Sequence, residues 1–384
     1  MIKILFIRLS SLGDVVLTES TVRFLKSIFN GIEIHYLTKS EYAQMVNHCF
    51  VLETNLSISN ELDMQNEDAN ISFPLIHKVH VWDDKINLLR ALRKEKFDFV
   101  IDLQNKFNTF LIKLFCRAKK NITYNKQHLL RRLIIKKISL KQIDSVVSNY
   151  INTIDILINS HKWKTITQNI PLQLPNLSFP VSSLYYPKLN VCKHTLLTVK
   201  EKFMNYNIPA DRYLIGIFPG ASHFTKQCPL AKFANFISEV PDYWKCSFLI
   251  FGSWNEKLLF LNLKSLTNTK LYDLVGAFDI TELIASISLL DLVITNDSGP
   301  MHIAAALKKP QIILYGATHT RLGFRPLNEK AVVLQKNIHC QPCSLHGGKT
   351  CKKNTLECFR NITSSELFDV FQKMFEENVL LDEK

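Results

Sequence analysis

Short apolar runs alternate along the chain with longer segments in which apolar side chains recur every three or four residues. Residues 2–9 form the first apolar run, and a polar turn follows at 10–14. A continuous apolar run is typical of a strand buried in a parallel sheet, whereas the longer spacing is typical of one helical face. The strand, turn and helix therefore predict the first unit of a Rossmann-like fold. The helical positions are Val15, Val22, Leu25 and Phe29.

This alternation stops once and then restarts, so the chain divides into two halves. In the first half we predict strands at 32–37, 78–82 and 97–103 and helices at 86–94 and 108–116. In the second half we predict strands at 213–218, 246–252, 291–295 and 311–316 and helices at 230–238, 255–265 and 300–307. Two such halves predict an α/β protein of two doubly wound domains with a cleft between them.

The interruption marks the domain boundary. Residues 161–190 contain four prolines and little periodicity, which predicts an interdomain connection. We therefore place an N-terminal domain at 1–185 and a C-terminal domain at 186–362. A capping-box spacing begins the last segment, 363–384, which we predict to be a helix that packs across a domain. Ligands bind such sheets at the carboxyl ends of strands, so the candidate loops are 10–14, 219–226, 252–256 and 295–299.

Composition agrees with this organisation and narrows the partners. A chain of 384 residues is long enough for two cores, and 47% apolar with 21% charged residues excludes disorder by composition. The net charge of +13 favours an acidic partner such as nucleic acid, anionic lipid or a phosphorylated substrate, unless it is a general background. No nucleic-acid-binding motif is present, so we predict no nucleic-acid partner. Basic pairs at 131–132 and 136–137 alternate with apolar residues, which indicates a helix with one basic face.

The N-terminal residues indicate the cellular compartment of the protein. The apolar core before Arg8 is six residues long, too short for a signal peptide. No run of about 18 apolar residues predicts a membrane-spanning helix. We therefore expect a cytoplasmic protein whose nine cysteines are mostly reduced thiols.

The most specific motif is the segment 294–307. A predicted strand ends at Thr295, a tight turn follows, and Pro300 suits a first helical turn. Backbone N–H groups at such a helix start bind anions, here a diphosphate, and Gly299 permits close approach. The alternative is an ordinary N-capped helix. His302 lies on this helix, and the pattern leaves open whether it faces the cleft or the core.

Four segments together resemble glycosyltransferase family 9, the ADP-heptose:lipopolysaccharide heptosyltransferase family. They occur in the family's order at 9–18, 218–237, 251–257 and 295–307. The resemblance implies a GT-B fold, with two Rossmann-like domains and a cleft between them. It also implies an inverting transferase that moves heptose from ADP-heptose to a lipopolysaccharide inner-core acceptor, lipid A–Kdo, at the inner membrane.

Asp14 matches the family's catalytic aspartate. Inverting transfer needs one base to take a proton from the acceptor hydroxyl, and a carboxylate also stabilises an oxocarbenium-like transition state. The alternative is that Asp14 only caps the helix that begins near Val15.

The resemblance also assigns donor contacts. Lys226 matches a lysine that neutralises the donor diphosphate, a role that other transferases give to a divalent cation, so no cofactor or catalytic metal is expected. Glu256 matches an acidic residue that contacts the nucleoside ribose. The alternative for Lys226 is a solvated surface lysine. The remaining candidates for the donor site and the loop beside Asp14 are Ser10, Ser11, Gly13, Ser222, Thr225, Asn296, Asp297, Ser298, Gly299 and His302.

The chain departs from the family in two places. In the segment 101–111, Asn108 lies where an arginine or lysine is expected to face the acidic acceptor, and Lys106 lies two residues earlier. This leaves the acceptor open. The polar and acidic segment 53–76 is a loop or small insertion without a clear place in the family pattern.

Four cysteines cluster near the C-terminus. A structural metal site with four thiolate ligands is chemically reasonable there. The second pair lacks the close spacing of a zinc ribbon, so a disulfide and free thiols remain open alternatives. The four residues are Cys340, Cys343, Cys351 and Cys358.

Two other functions remain open. A related GT-B transferase with a UDP or GDP donor would have the same fold and base. A nucleotide-binding protein without transferase activity is less consistent with the presence of Asp14, Lys226 and the 296–302 segment together. A dehydrogenase is disfavoured, because no GxGxxG motif follows the first strand of either half. A basic protein of this kind is expected to dock peripherally on the cytoplasmic face of the inner membrane, where the lipid acceptor lies.

Overall fold

The computed structural model divides the chain into two compact units, and each is described by itself. The first unit joins Met1–Asn125 and Val147–Asn190, and the second joins Lys126–Val146 and Val191–Lys384. Residues 55–70 of the predicted insertion and residues 168–185 of the predicted connection lie outside the described residues. The described residues are 1–29, 31–54, 71–167 and 186–382.

Strands and helices alternate in both units, as the sequence predicts. The strands are β1 Ile2–Ile7, β2 Ile32–Thr38, β3 Val51–Thr54, β4 Ile71–Pro74, β5 Lys78–Val81, β6 Phe99–Asp102, β7 Lys120–Thr123, β8 Tyr213–Phe218, β9 Cys246–Gly252, β10 Leu271–Val275, β11 Leu292–Asn296, β12 Gln311–Leu314 and β13 Ala331–Leu334. The helices are α1 Leu12–Ile28, α2 Ser40–Cys49, α3 Lys85–Glu95, α4 Phe107–Cys116, α5 His128–Ile135, α6 Val146–Ile158, α7 His161–Thr167, α8 Lys193–Asn205, α9 Leu230–Glu239, α10 Lys257–Lys264, α11 Ile280–Leu289, α12 Gly299–Ala306, α13 Glu357–Arg360 and α14 Ser364–Asp382. Short 3-10 turns lie at Phe224–Lys226, Asp242–Trp244, Trp254–Glu256 and Thr320–Leu322.

The first unit is built on a parallel sheet of five strands in the order β5-β2-β1-β6-β7. The strand β1 lies at its centre, where Ile4 pairs in register with Ile34 on one side and Phe99 on the other. Its apolar side chains are buried on both faces, which explains why the sequence shows a continuous run and no alternation. One face packs against α3 and α4 through Leu88, Leu92 and Ile112.

The second unit is built on a parallel sheet of six strands in the order β10-β9-β8-β11-β12-β13. Its core joins the central strands to α9 through residues such as Ile217 and Phe236. The terminal helix α14 covers the same core with Phe371, and its first turn is capped by the Thr363 hydroxyl, which accepts the Glu366 N–H at 3.0 Å.

The segment Lys126–Val146 groups with the second unit although it lies between two parts of the first. The backbone of Ile143 donates to Arg321 O at 3.0 Å, and Val146 donates to Gly323 O at 2.9 Å. Ile134 and Ile143 pack with Leu322 in a small apolar cluster. The segment is therefore held to the second unit by both backbone hydrogen bonds and apolar contacts.

None of the helices in the described part of the chain is long and apolar enough to cross a membrane.

Two buried histidines lie side by side in the first sheet. His35 Nδ1 and His80 Nε2 form a hydrogen bond of 2.8 Å, and His35 Nε2 lies 2.7 Å from Glu33 Oε1. Glu33 and the nearby Glu95 are each paired with Lys3. Burial lowers the pKa of His80, and with the neighbouring His35 and Lys78 it brings that pKa to about 4. The folded protein therefore holds His80 neutral.

This histidine predicts a loss of stability in mild acid. The unfolded chain has an ordinary histidine pKa near 6.5, so between pH 6.5 and 4 it binds more protons than the folded chain does at His80. We expect the free energy of unfolding to fall by about 2 kcal/mol between pH 7 and pH 5 from this group. His80→Gln should flatten that dependence in urea unfolding, whereas His161→Gln, at an exposed position on α7, should not. An equal pH slope in both variants would contradict this account.

Candidate functional site

Three loops of the second unit meet at one edge of its sheet. The strands β8, β9 and β11 are neighbours in the sheet, and the chain leaves them at 219–228, 252–256 and 296–298. Carboxyl ends of parallel strands share one edge, where ligands of such sheets bind. The sequence predicts candidate donor-site residues in these three loops.

Asn296 ties two of these loops together. Its side chain is fully buried, its Nδ2 donates to Pro219 O at 2.7 Å, and its Oδ1 accepts the Cys228 N–H at 3.1 Å. Because both polar atoms of the amide already have partners, Asn296 positions the loops and is not placed to contact a ligand through its side chain.

Lys226 and Asp297 form an ion pair at the same edge. Lys226 Nζ lies 2.9 Å from Asp297 Oδ2, and both side chains are largely buried. The Thr318 hydroxyl also donates to Asp297 Oδ2 at 2.6 Å. An ammonium has three N–H donors, so Lys226 retains donors for an anion while Asp297 holds it in place. Lys226 is therefore a positioned cation rather than a solvated surface lysine.

Glu256 connects the 252–256 loop to the 219–228 loop. Its Oε2 accepts the Ser253 N–H at 2.7 Å and the Ser253 hydroxyl at 2.9 Å. The other carboxylate oxygen lies over Gly220, where a Cβ atom would stand 1.8 Å from it. A side chain at 220 would displace this carboxylate, so glycine at 220 allows Glu256 to lie beside the 219–228 loop.

The remaining candidate residues of the second unit differ in burial and in their hydrogen bonds. Thr225 is buried, its hydroxyl accepts the Gly348 N–H at 2.8 Å, and it is therefore part of the loop framework. Ser222 is exposed on the same loop. Ser298 is the N-cap residue of α12, and its hydroxyl lies 3.3 Å from that of Thr295. Gly299 and the buried His302 lie on α12 itself.

In the first unit, Asp14 lies in the first turn of α1. Its Oδ2 accepts the Ser11 hydroxyl at 2.9 Å and lies 2.5 Å from an Arg8 guanidinium nitrogen. The helix begins at Leu12, three residues before the predicted start, so Asp14 is inside the helix. The Ser11 contact is typical of a helix-capping residue, whereas the Arg8 ion pair is an additional interaction that capping does not require.

Arg8 was not predicted as a site residue. It is buried, and one guanidinium nitrogen donates to Leu103 O at 2.5 Å. Burial lowers the pKa of Arg8, but Asp14, through its charge and hydrogen bond, outweighs this together with Tyr150 and Tyr36, so the pKa lies above its ordinary value. The signal in the sequence was an arginine at the end of an apolar strand, since a buried charge requires a partner.

Gln104 and Asp102 hold the turn before Asp14 and were also missed. Gln104 Oε1 accepts the backbone N–H groups of Leu9 and Ser10 at 3.1 and 3.3 Å. Asp102 in turn accepts the Gln104 N–H at 3.0 Å and pairs with Lys113 at 2.9 Å. The polar residues after β6 therefore fix the backbone that carries Ser10 and Ser11, while Gly13 is buried in α1.

The four C-terminal cysteines are free thiols in the structure. Among the described residues, the group whose ligand atoms lie close enough for one metal ion is His35, His80 and Glu95, and no three of the cysteine sulfurs meet that condition. Burial raises the pKa of the Cys358 thiol to about 11. The structure thus neither assembles a four-thiolate site nor pairs the cysteines, and the metal cluster stays a prediction.

Comparison with known proteins gives a family match over most of the chain. A family model described as glycosyltransferase family 9 (heptosyltransferase) matches residues 86–354. The chain is also 26% identical over 354 residues to lipopolysaccharide heptosyltransferase 1 of Campylobacter coli, an alignment that covers 88% of this chain and 90% of that protein.

Two solved structures share the fold. The structure of the ADP-heptose LPS heptosyltransferase II of Escherichia coli matches with a TM-score of 0.69 and 20% identity over 100% of both chains. A glycosyltransferase family 9 protein of Veillonella parvula matches with a TM-score of 0.70 and 18% identity, over 98% of this chain and 97% of that chain. These likenesses confirm the predicted GT-B fold.

The free energy of unfolding tests whether Asn296 holds the two loops together. Asn296→Ala leaves the Cys228 N–H and the Pro219 carbonyl buried without this partner, so we expect the free energy of unfolding to fall by roughly 1–3 kcal/mol per unmet group. Ser222→Ala, an exposed change on the same loop, should stay within about 0.5 kcal/mol of the unmodified protein. Urea unfolding measures both, and equal midpoints would show that Asn296 does not hold the loops.

Proposed function

The chain belongs to glycosyltransferase family 9, and on that premise we propose that it transfers heptose from ADP-heptose to a lipopolysaccharide inner-core acceptor of the lipid A–Kdo type, with inversion at the anomeric carbon. The observation that carries the proposal is the convergence of three loops around Lys226 at the carboxyl edge of the second sheet. Relatives named as heptosyltransferases support the choice of sugar and acceptor.

The second unit provides the donor site in this proposal. The Lys226 ammonium, held by Asp297, neutralises the diphosphate as it leaves, and the first N–H groups of α12 add donors. Glu256 accepts hydrogen bonds from the ribose hydroxyls. A fixed lysine at the leaving group supplies the positive charge that a divalent ion supplies elsewhere, so we propose transfer without a metal or other cofactor.

Asp14 is the proposed base. It takes the proton of the acceptor hydroxyl while that oxygen bonds to the anomeric carbon and the bond to the ADP phosphate oxygen breaks. The products are the glycosidic bond, ADP and a protonated Asp14. Arg8 favours the carboxylate form and fixes its orientation, and Ser11 holds the same oxygen from the other side. The carboxylate also lies where positive charge develops on the sugar.

The acceptor determines where the enzyme works. We propose that the protein is cytoplasmic and meets its acceptor at the cytoplasmic face of the inner membrane, because lipid A anchors the sugar chain in a bilayer. The net charge of +13 supports attraction to that anionic surface.

The base assignment predicts a loss of transfer without a loss of donor binding. Asp14→Asn keeps an acceptor atom for Ser11 but cannot take a proton, so we expect kcat to fall by about 10²- to 10⁴-fold. The affinity for ADP should be unchanged, because the donor residues lie in the second unit.

Asp84→Asn is the matched control. Asp84 is the N-cap of α3 in the same unit, and its carboxylate accepts the Ile86 and Asn87 N–H groups. Transfer should survive there with at most a small loss of stability. If Asp14→Asn turns over like Asp84→Asn, then Asp14 is a helix-capping residue and the assignment fails.

The donor assignment predicts selective nucleotide binding in the presence of EDTA. We expect ADP to bind more tightly than UDP or GDP by calorimetry, and Lys226→Ala to weaken ADP binding at least about tenfold, since one charge-assisted contact is lost. Lys336→Ala, which removes a lysine from the ion pair with Glu366, should bind ADP normally.

Other outcomes of this measurement separate the alternatives. Preference for UDP or GDP would retain the fold and the base but change the donor. Binding that EDTA abolishes would contradict metal independence. Absence of any nucleotide binding would favour a relative without transferase activity.

A further inference from the structure

The helix α4 exposes an apolar face. Five of its ten residues are large apolar side chains with between 36% and 73% of their surface exposed. They recur at spacings of three and four and therefore share one side of the helix. Thr109, Ile112 and Cys116 are buried on the opposite side. The exposed residues, called here the α4 face, are Phe107, Phe110, Leu111, Leu114 and Phe115.

Such a face is unusual on a helix whose other side is already packed in a core. The neighbouring helix α3 shows the ordinary arrangement, because it buries Leu88 and Leu92 and exposes mainly residues such as Arg90 and Lys94. A continuous exposed apolar stripe marks a surface that contacts a partner or a membrane. The α4 face is therefore not explained by the packing of the first unit.

The charge around α4 identifies the kind of partner. Residues 103–125 of the first unit contain no aspartate or glutamate, yet they carry five lysines and arginines. This segment contributes +5 to the net charge of +13. Lys106 and Arg117 are exposed directly before and after the helix. An apolar helical face with basic residues at its ends is the pattern of a helix that lies in the interface of an anionic bilayer.

We propose that the α4 face is a docking surface for an anionic phospholipid bilayer. The phenylalanine and leucine side chains enter the boundary between headgroups and acyl chains, and the flanking cations contact lipid phosphates. The inference deepens the proposed function, on which it rests for the lipid-anchored acceptor. The docking itself requires neither donor nor acceptor.

A second copy of the chain fits this surface less well. In a symmetric dimer through α4, the acid-free segments of both copies would face each other and like charges would repel. A lipid surface provides the opposite charge and an apolar interior together, and so complements both properties of the face.

Binding to lipid vesicles tests the surface directly. The unmodified protein should float with vesicles of phosphatidylcholine containing phosphatidylglycerol and remain free with phosphatidylcholine alone. The variant Leu111→Ser/Leu114→Ser should bind the anionic vesicles at least about tenfold more weakly, since it loses apolar area from the buried face. Raising the salt concentration should also weaken binding of the unmodified protein.

The helix α10 offers a matched control. Its Leu258 and Leu261 have the same residue type, the same spacing of three and comparable exposure, 65% and 52%. Leu258→Ser/Leu261→Ser should bind vesicles as the unmodified protein does. Equal weakening by both double substitutions, or no vesicle binding by the unmodified protein, would overturn the proposal.

Two further readouts separate docking from catalysis and from self-association. The α4 variant should bind ADP normally and act normally on a delipidated, water-soluble core oligosaccharide. If the unmodified protein binds anionic vesicles but transfers no heptose, the docking surface stands and the proposed function fails. If the α4 variant changes the mass in light scattering but not vesicle binding, the face is an interface between copies and the proposal is overturned.

Discussion

A parallel strand leaves backbone groups near its carboxyl end without partners in the sheet, and in this protein the side chains of adjacent segments bind some of them. Both units solve this in the same way. Gln104 accepts the backbone N–H groups that follow β1, and Asn296 binds the backbone that follows β8. Gln104 follows β6, which pairs with β1, and Asn296 ends β11, which pairs with β8. Each amide therefore lies beside the loop that it holds.

Charges at these edges follow a related rule, because a buried charge is tolerated only with a partner. Arg8 pairs with Asp14, Asp102 with Lys113, and Lys226 with Asp297. Arg8 supports the proposed base Asp14, and Asp297 supports Lys226. Lys113 supports Asp102, which holds the backbone of Gln104. The pairs orient Asp14 and Lys226 before any ligand arrives, so little reorganisation is needed on binding.

The sequence predicts the parts of this arrangement that are local. Buried strands such as β1 and β11 appear as continuous apolar runs, and the turn after β11 is marked by its glycine and proline. Helices such as α6 and α8 were not predicted, because they lie outside the motifs and the strands and helices beside them. The contact between Gln104 and Ser10 spans 94 residues, and local spacing carries no sign of it. The thiol spacing predicts a metal cluster, but spacing alone does not bring the sulfur atoms together.

The path of the backbone between the units bears on how the protein is made. The piece 126–146 is synthesised before the second unit exists, yet its partners Arg321, Leu322 and Gly323 emerge from the ribosome nearly 200 residues later. During that interval Ile134 and Ile143 lack the surface that covers them in the finished molecule. The first unit must therefore fold while the segment 126–146 is still without its partners. A fragment that stops at the end of the first unit would keep this segment exposed. The residues of the two units are therefore interleaved in the order in which they leave the ribosome.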